Sequence, residues 1–250
     1  MTKKIDKYKV QAALVRSFFD AFSHGVIESQ MEDRNEKTTP QSVKKLMLEH
    51  YEHIAPAFFD TMFFPLAAMN YKYEDIAALA REAQQRGDDM MALVRTACGD
   101  EAYYNAMVEE YKRNFSMLLA GRYLSNADHL EGYVRKAEDE TEASVDSDRA
   151  IELTVRVVMF AYVRGLRQTG EGARFDRSAH LRQVHPLRGA TLFRLMLDAM
   201  NILLLDEAVD FADAEAADLA SLFLKVCQTQ HNFTVMTNEM DRTYSELMKE

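Results

Sequence analysis

The C-terminal part of the chain carries an apolar stripe whose members are spaced alternately by four and three residues. This spacing places one apolar seam along one side of a long helix, which is typical of helical bundles and coiled coils. Neither Gly nor Pro interrupts the stripe. We therefore predict a C-terminal heptad helix within residues 213–250 that acts as an interaction element. Its seam consists of Leu219, Phe223, Val226, Gln230, Phe233, Thr237, Met240, Tyr244 and Leu247.

A similar stripe in residues 3–26 predicts a long N-terminal helix that mirrors the last one. The polar seam positions Gln230 and Thr237 are typical of seams in which register or partner choice matters. Two arrangements fit both stripes. In one, the terminal helices pack on each other and complete a monomeric bundle. In the other, the C-terminal helix contacts a protein partner.

The composition favours an all-α protein. The 250 residues are 48% hydrophobic and contain only nine Gly and four Pro, and so few turn formers are unusual in a protein with many strands. The formal net charge is −10 and the pI is near 5.3. Nucleic acid is therefore an unlikely partner, because most of the surface would repel the phosphate backbone.

Cysteine usage and hydropathy predict a cytoplasmic protein. Cys98 and Cys227 lie far apart in helical patterns, so they indicate neither a disulfide framework nor a zinc site. The N-terminus lacks the continuous apolar core of a secretory signal. The most apolar run, residues 192–205, contains two charged residues and is shorter than the roughly 20 residues that cross a bilayer. We expect no membrane association.

Prolines and capping residues place the other helices. Thr39 and Pro40 predict a helix start near residue 41, whereas Pro56 and Pro65 are expected to break the helix that follows. No internal repeat is apparent. Further helices are predicted at residues 74–86, 89–97, 101–120, 126–143, 148–168, 177–184 and 189–209.

Aspartates mark three of these starts: Asp88 and Asp100 are the predicted N-caps of the second and third helix in that list, and Asp213 that of the C-terminal helix. We divide the chain into an N-terminal helix with its linker, a central helical domain and the C-terminal heptad helix. The three segments span residues 1–38, 39–212 and 213–250.

The segment from Tyr111 to Tyr123, which reads YKRNFSMLLAGRY, resembles the corresponding helix end of globin-coupled sensor domains. The turn at residues 144–147 stands where that family has a Gly-Leu-Asp-Pro-like turn. The apolar helices at 148–168 and 189–209 resemble the helices that form the family's dimer bundle. The resemblance implies a globin-like helical fold and a homodimer built through these two helices.

One departure from the family concerns haem. The resemblance places Glu140, within a run of carboxylates, where the iron-binding histidine would lie, and such a run is a poor wall for a haem pocket. His129 is the only nearby imidazole. We therefore predict no cofactor, with haem bound through His129 or His50 as the alternative. The pocket left without haem could take a small apolar ligand. Its candidate lining residues, which could also be ordinary core, are Phe59, Phe63, Met107, Phe115 and Leu118.

Residues 49–53 contain side chains that can ligate a metal. His50 and His53 lie three residues apart, and Glu49 precedes His53 by four, a spacing that can present ligands on one helix face. A diiron bundle needs Glu-x-x-His, however, and here Glu is followed by Glu52 at that spacing. We predict no metal.

Arginine is concentrated between Arg156 and Arg194. This segment contains eight arginines, no lysine and two acidic residues. Guanidinium groups bind carboxylates and phosphates in a bidentate manner. One interpretation is therefore an anion or partner patch, and the other is neutralisation by the acidic blocks at 138–148 and 206–218. The candidate patch consists of Arg164, Arg167, Arg174 and Arg177.

No nucleophile elbow, phosphate loop or catalytic cysteine signature is present, so a catalytic role is disfavoured. We predict a non-catalytic sensor or regulatory protein that acts by protein–protein contact, in which a small apolar ligand, or a partner, shifts helix packing and the C-terminal helix transmits the change. Two alternatives stay open. One is a haem-based gas sensor, and the other is an adaptor that binds an acidic partner or nucleic acid through the arginine segment.

Overall fold

The computed structural model describes residues 3–34, 39–120, 144–167, 189–205 and 219–249. Ten helices and two three-residue strands make up these ranges, which confirms the predicted all-α class. In chain order the elements are β1 (Lys4–Asp6), α1 (Lys7–Arg34), α2 (Pro40–Glu49), α3 (Tyr51–Asn70), α4 (Tyr73–Arg86), α5 (Met90–Ala97), α6 (Glu101–Leu119), β2 (Ser144–Asp146), α7 (Ser147–Arg167), α8 (Gly189–Leu204), α9 (Leu219–Cys227) and α10 (Gln230–Lys249).

Side-chain caps fix several helix starts. Thr39, Asp89 and Asp100 each accept a hydrogen bond from the backbone N–H three residues later, which satisfies a donor that the helix itself cannot. The predicted starts near 41, 89 and 101 are thus confirmed. The N-cap of α5 is Asp89, one residue later than the predicted Asp88.

The prediction that Pro56 and Pro65 break a helix is wrong. Both residues lie inside α3, which is continuous from Tyr51 to Asn70. Each proline removes one backbone hydrogen bond. The helix persists because it buries a long apolar face that includes Phe58 and Met62. The break in this region instead falls at His50, between α2 and α3.

The C-terminal seam is also interrupted. Gln228 adopts φ of 63° and separates α9 from α10, so the predicted single heptad helix is two helices. Phe223, Val226 and Leu247 are buried as expected. Gln230 is exposed, and the other described seam side chains are half-buried, namely Phe233, Thr237, Met240 and Tyr244.

The buried face of α10 lies one position earlier than the predicted seam at Met236, Glu239 and Thr243, and it meets the seam at Leu247. This face packs on α7, and α9 packs on α8. Within the described residues, the seam therefore closes on its own chain.

At the centre of the protein, α1 and α7 lie side by side. The strands that precede them pair in an antiparallel manner, with Lys4 opposite Asp146 and Ile5 opposite Val145. Further along, Gly25 and Gly165 let the two backbones touch. A Cβ on Gly25 would lie 2.2 Å from the Tyr162 carbonyl oxygen, so only glycine fits.

These contacts are related by an approximate twofold axis. A Cβ on Gly165 would likewise lie 2.1 Å from the carbonyl oxygen of Phe22, the residue that corresponds to Tyr162. The packing of α1 on α6 and α8 repeats as α7 on α10 and α3, and α3 on α5 repeats as α8 on α9. The chain thus consists of two halves with equivalent helix packing.

The sequence repeats along with the packing. Corresponding positions carry identical residues at Arg16 and Arg156, at Cys98 and Cys227, and elsewhere along the helices. The expectation of no internal repeat is therefore wrong. Further identical pairs are Val15 with Val155, Gly25 with Gly165, Leu66 with Leu197, Met69 with Met200, Asn70 with Asn201, Met107 with Met236, Glu110 with Glu239, Arg113 with Arg242 and Leu118 with Leu247.

One hydrophobic core spans the three segments that the sequence divided. It includes Ile5 from the N-terminal segment, Met47 from the central one and Leu247 from the C-terminal one. The helices predicted to form a dimer bundle, α7 and α8, pack on α1 of the same chain. Among the described helices, none combines the length and the hydropathy needed to cross a bilayer.

Candidate functional site

A cleft lies between α3 of the first half and α7 of the second, and we call it the α3–α7 cleft. The Asp60–Arg164 ion pair and the stacking of Arg156 on Phe64 show that the two helices run in opposite directions there. The cavity volume is about 130 Å³. Its lining combines apolar and charged side chains: Asp60, Thr61, Phe64, Pro65, Arg156, Val157, Phe160 and Arg164.

Arg156 connects the cleft to the C-terminal helix. Its guanidinium lies 5.2 Å from the Phe64 ring centroid, 3.4 Å from a Glu239 carboxylate oxygen and 2.8 Å from one of Glu246. Burial alone would lower the pKa of Arg156. Hydrogen bonds and charge from the two glutamates outweigh this effect and raise the pKa. Arg156 therefore stays charged and holds α10 against α7.

The floor of the cleft contains polar atoms without partners. The Thr61 hydroxyl and Arg164 Nε are buried, and neither has a hydrogen-bond partner within the described residues. Thr61 is only 7% exposed. A buried polar group without a partner costs about 1–3 kcal/mol. Such a cost in a native protein needs an explanation, and a ligand with acceptor atoms is one.

The equivalent place in the other half, between α1 and α8, also holds buried polar atoms that have no hydrogen-bond partner among the described residues, namely Arg16 Nε and Nη2 and the Ser17 hydroxyl. Arg16 corresponds to Arg156, but it is almost fully buried, and its Nε lies 3.9 Å from a carboxylate oxygen of Asp20. Burial raises the pKa of Asp20 to about 7, with the charge of Asp198 adding to the rise and that of Arg16 opposing it. Burial also lowers the pKa of His24, the counterpart of Arg164.

A second cavity lies beside the start of α7 and the turn between α9 and α10. Its lining is polar and includes Lys3, Gln228 and Asn232. His231 Nε2 lies 2.9 Å from a carboxylate oxygen of Asp148 there, and both side chains are partly exposed. Its volume is about 500 Å³, but none of its described lining residues has a buried polar side-chain atom without a hydrogen-bond partner, so the α3–α7 cleft is the stronger candidate.

The predicted pocket residues belong to the core around α3 and α6. Met107 and Leu118 are buried, whereas Phe59, Phe63 and Phe115 are half-buried and pack on the core. Phe59 and Phe115 both stack on Tyr111, with ring centroids 6.3 and 5.9 Å away. None of the five predicted residues lines either of the two cavities described above.

Of the candidate histidines for metal or haem, only His50 and His53 lie within the described residues. His50 and His53 have ring centroids 6.3 Å apart at the junction of α2 and α3. Within the described residues, no group of three or more potential ligands could hold a metal ion. His129 and Glu140 lie outside the described residues, so the haem alternative stays a prediction.

Only two of the four residues of the predicted arginine patch lie within the described residues. Arg164 pairs with Asp60, and Arg167 is an exposed residue at the end of α7. Arg174 and Arg177 lie outside the described residues. The partners observed for Arg156 and Arg164 are Asp60, Glu239 and Glu246, none of which belongs to the acidic blocks named in the prediction.

The two cysteines occupy corresponding positions at the ends of α5 and α9, and both are buried. Burial raises the pKa of Cys98 to about 12 and that of Cys227 to about 11. Thiols that are buried and protonated are poor nucleophiles. They pack as part of the core.

Sequence reasoning did not single out Arg156, Asp60 or Thr61 as site residues. A signal for Arg156 was present, because it repeats Arg16 within matched helices. The pairing of Asp60 and Thr61 with α7 depends on the packing of the two halves. No family model, no curated protein and no solved structure matches the chain.

Proposed function

We propose that the chain is a non-catalytic sensor or regulatory protein in which a small ligand binds the α3–α7 cleft and changes how the C-terminal helix α10 is held. One observation carries this proposal. Arg156 lines the cleft and pairs with Glu239 and Glu246 of α10. A ligand that interacts with this guanidinium acts on the cleft and on α10 together.

The position of the cleft supports a change in packing between the halves. One wall is α3 of the first half, and the other is α7 of the second. A ligand shifts a conformational equilibrium only by its difference in affinity for the two states. The partnerless Thr61 hydroxyl and Arg164 Nε supply such a difference, because a state in which the ligand reaches them regains their hydrogen bonds.

An apolar surface in the second half supports the protein-contact part of the proposal. Phe193 and Leu224 are 40% and 47% exposed, on α8 and α9. The Phe193 ring lies 5.5 Å from that of Phe223, so the exposed surface continues into the core. We assign this surface to a homodimer contact. Native mass spectrometry should report a dimer for the unmodified chain and a monomer after Phe193→Asp with Leu224→Asp.

Hydrogen–deuterium exchange tests the coupling between the cleft and α10. A panel of small acids, amines and neutral fragments is first screened by ligand-observed NMR. The best binder should then change amide exchange both in α3 and α7 and in residues 230–249. Arg156→Gln should abolish the change in α10 and leave that in α3.

Arg242→Gln is the matched control, because Arg242 also pairs with Glu239 but does not line the cleft. This variant should keep the response of α10. The proposal is contradicted if no fragment binds, or if a bound fragment leaves exchange in α10 unchanged.

The haem-sensor and adaptor alternatives stay predictions with their own tests. A Soret band in protein from haem-fed cells that His129→Ala removes would establish the haem alternative. Binding to an acidic partner that falls steeply with salt, and with Arg174→Ala plus Arg177→Ala, would establish the adaptor.

A further inference from the structure

We infer that the α3–α7 cleft takes a small carboxylate that carries a single apolar ring. This inference rests on the proposed function, because it names the class of ligand for the same site. Size sets the first limit. The cavity volume is about 130 Å³, and an apolar cavity of about 150 Å³ holds benzene. The cleft is slightly smaller than that cavity, so a single ring is the upper limit of what it takes, and a fused ring system does not fit.

The walls of the cleft suit a ring. Phe64 and Pro65 line it from α3, and Val157 and Phe160 line it from α7. Arg156 covers the same aromatic side chains, with its guanidinium 5.2 Å from the Phe64 ring and 5.5 Å from the Phe160 ring. Apolar and aromatic linings with a few placed polar groups are typical of small-molecule sites.

The buried polar atoms without partners determine which polar group the ligand carries. Arg164 Nε can only donate a hydrogen bond, and the Thr61 hydroxyl can donate one as well. A carboxylate offers two acceptor oxygens to such donors, and its bonds to a guanidinium are among the stronger ones in proteins. An amine would bring further donors and leave Arg164 Nε unsatisfied.

The charges around the cleft do not by themselves select an anion, because Asp60 pairs with Arg164 and both Glu239 and Glu246 pair with Arg156. The choice of a carboxylate rests on the hydrogen-bond donors of Arg164 and Thr61 that have no partner within the described residues. Asp60 already pairs with Arg164, so it offers little to a cation. Thr61 Oγ1 and Arg164 Nε are buried, so the carboxylate reaches them in a state in which the surrounding side chains have shifted.

Titrations with benzoate and with benzamide, its neutral isostere, test this inference on the full chain. Benzoate should bind with a Kd of about 1 mM or tighter, as expected for a ligand of this size. Benzamide should bind at least roughly tenfold more weakly, because it presents one acceptor and adds donors.

Two variants test the assigned atoms. Thr61→Val removes the hydroxyl and Arg164→Lys removes the Nε donor while keeping the charge, and each should weaken benzoate binding roughly fivefold to tenfold. Thr61→Val should also raise the melting temperature without ligand, because it removes a buried group that has no partner. Thr154→Val is the matched control. Its hydroxyl is buried in α7 but bonds to the Ala150 carbonyl, so benzoate affinity should not change.

Equal binding of benzoate and benzamide, no binding of benzoate, or unchanged affinity in both variants would overturn the inference. If another fragment binds the cleft and changes exchange in α10 while benzoate does not bind, the ligand class is wrong and the proposed function stands. If benzoate binds as described but exchange in α10 does not respond, the site stands and the proposed function is wrong.

Discussion

Arg16 and Arg156 occupy corresponding positions in the two halves, yet their surroundings differ. Arg156 pairs with Glu239 and Glu246 and faces a cleft. Arg16 is almost fully buried, and Asp20 is its recorded ion-pair partner. The matched helices thus have an arginine at the same position, which lines a cavity in one half and belongs to a closed polar cluster in the other. The equivalent packing defines the fold, and the differences at matched positions distinguish the surroundings of the two arginines.

The contact that the halves share should give the largest effect. Gly25→Ala and Gly165→Ala each place a Cβ against a backbone carbonyl of the opposite helix. Because backbone atoms cannot move aside as a flexible side chain can, each variant should lose about 3 kcal/mol or more of unfolding free energy. Denaturant unfolding measures this. Gly87→Ala is the control, since nothing lies within 4 Å of its Cβ and only its φ of 75° matters, and it should lose about 1 kcal/mol. A small loss of unfolding free energy at either interhelical glycine would contradict the proposed symmetry of the two halves.

The second largest effect on stability is expected at Arg156. Arg156→Ala leaves Glu239, which is 3% exposed, with Arg242 as an ion-pair partner and the Thr243 hydroxyl as a hydrogen-bond donor. We expect a loss of about 2 kcal/mol at neutral pH, less than for a fully isolated buried charge. Adding Glu239→Gln to Arg156→Ala should recover part of the loss in the same unfolding measurement. A double variant that is less stable than the single one would contradict the assigned ion pair.

The closed cluster around Asp20 predicts a pH dependence of stability. Because the folded pKa of Asp20 is about 7 and its ordinary value is 3.8, the folded state binds more protons than the unfolded state between these values. Stability therefore falls as pH rises through this window. Asp20→Asn should remove this fall, so the variant should gain roughly 2 kcal/mol relative to the parent between pH 5 and 8.

His24 acts in the opposite direction, because its lowered pKa makes the folded state lose stability as pH falls. It is present in both proteins, so the difference between them isolates Asp20. If the stability of the parent and that of Asp20→Asn change in parallel across this pH range, the cluster does not cause the predicted pH dependence. Arg16 and Asp198 are the other charged groups that act on Asp20, and both are kept in the variant.

The smallest effects are expected at the matched turns before α6 and α10. Gly99 and Gln228 correspond, and both have positive φ, 79° and 63°. Gly99→Ala should cost about 1 kcal/mol, because a Cβ is disfavoured in this conformation. Gln228→Gly should change stability by less than about 0.5 kcal/mol, since relief of the backbone is offset by loss of the side chain's bond to the Leu204 carbonyl. Thermal unfolding of the two variants measures the contrast.

The sequence predicted local structure better than packing. Caps such as Thr39 and Asp100 act within one helical turn, so their effect is readable from neighbouring residues. The three-residue strands are too short for an alternating pattern, and Gln228 gives no sign of a positive φ. The buried face of α10 was misplaced because Glu239 and Thr243 are polar and are buried through partners on other turns and helices.

The repeat was missed because identical residues are sparse and the segments between matched helices differ in length. α2 and α4 have no described counterpart in the second half. The cleft could not be predicted because it forms where α3 meets α7, which are distant in sequence. Arg156 and Gly165 are informative only once the two halves are aligned.

The central claim is that two copies of one unit meet through β1 with β2 and α1 with α7. Ser147 N–H donates to the Lys3 carbonyl, so the next pair, Lys4 and Asp146, is a non-hydrogen-bonded pair with Cα atoms about 4.5 Å apart. This distance permits a disulfide. Lys4→Cys with Asp146→Cys should therefore oxidise to an intramolecular disulfide, seen by mass spectrometry of the monomer under non-reducing conditions. Lys4→Cys with Ser144→Cys, two residues out of register, should not. Failure of the first pair to form the disulfide, or equal formation in both, would contradict the account.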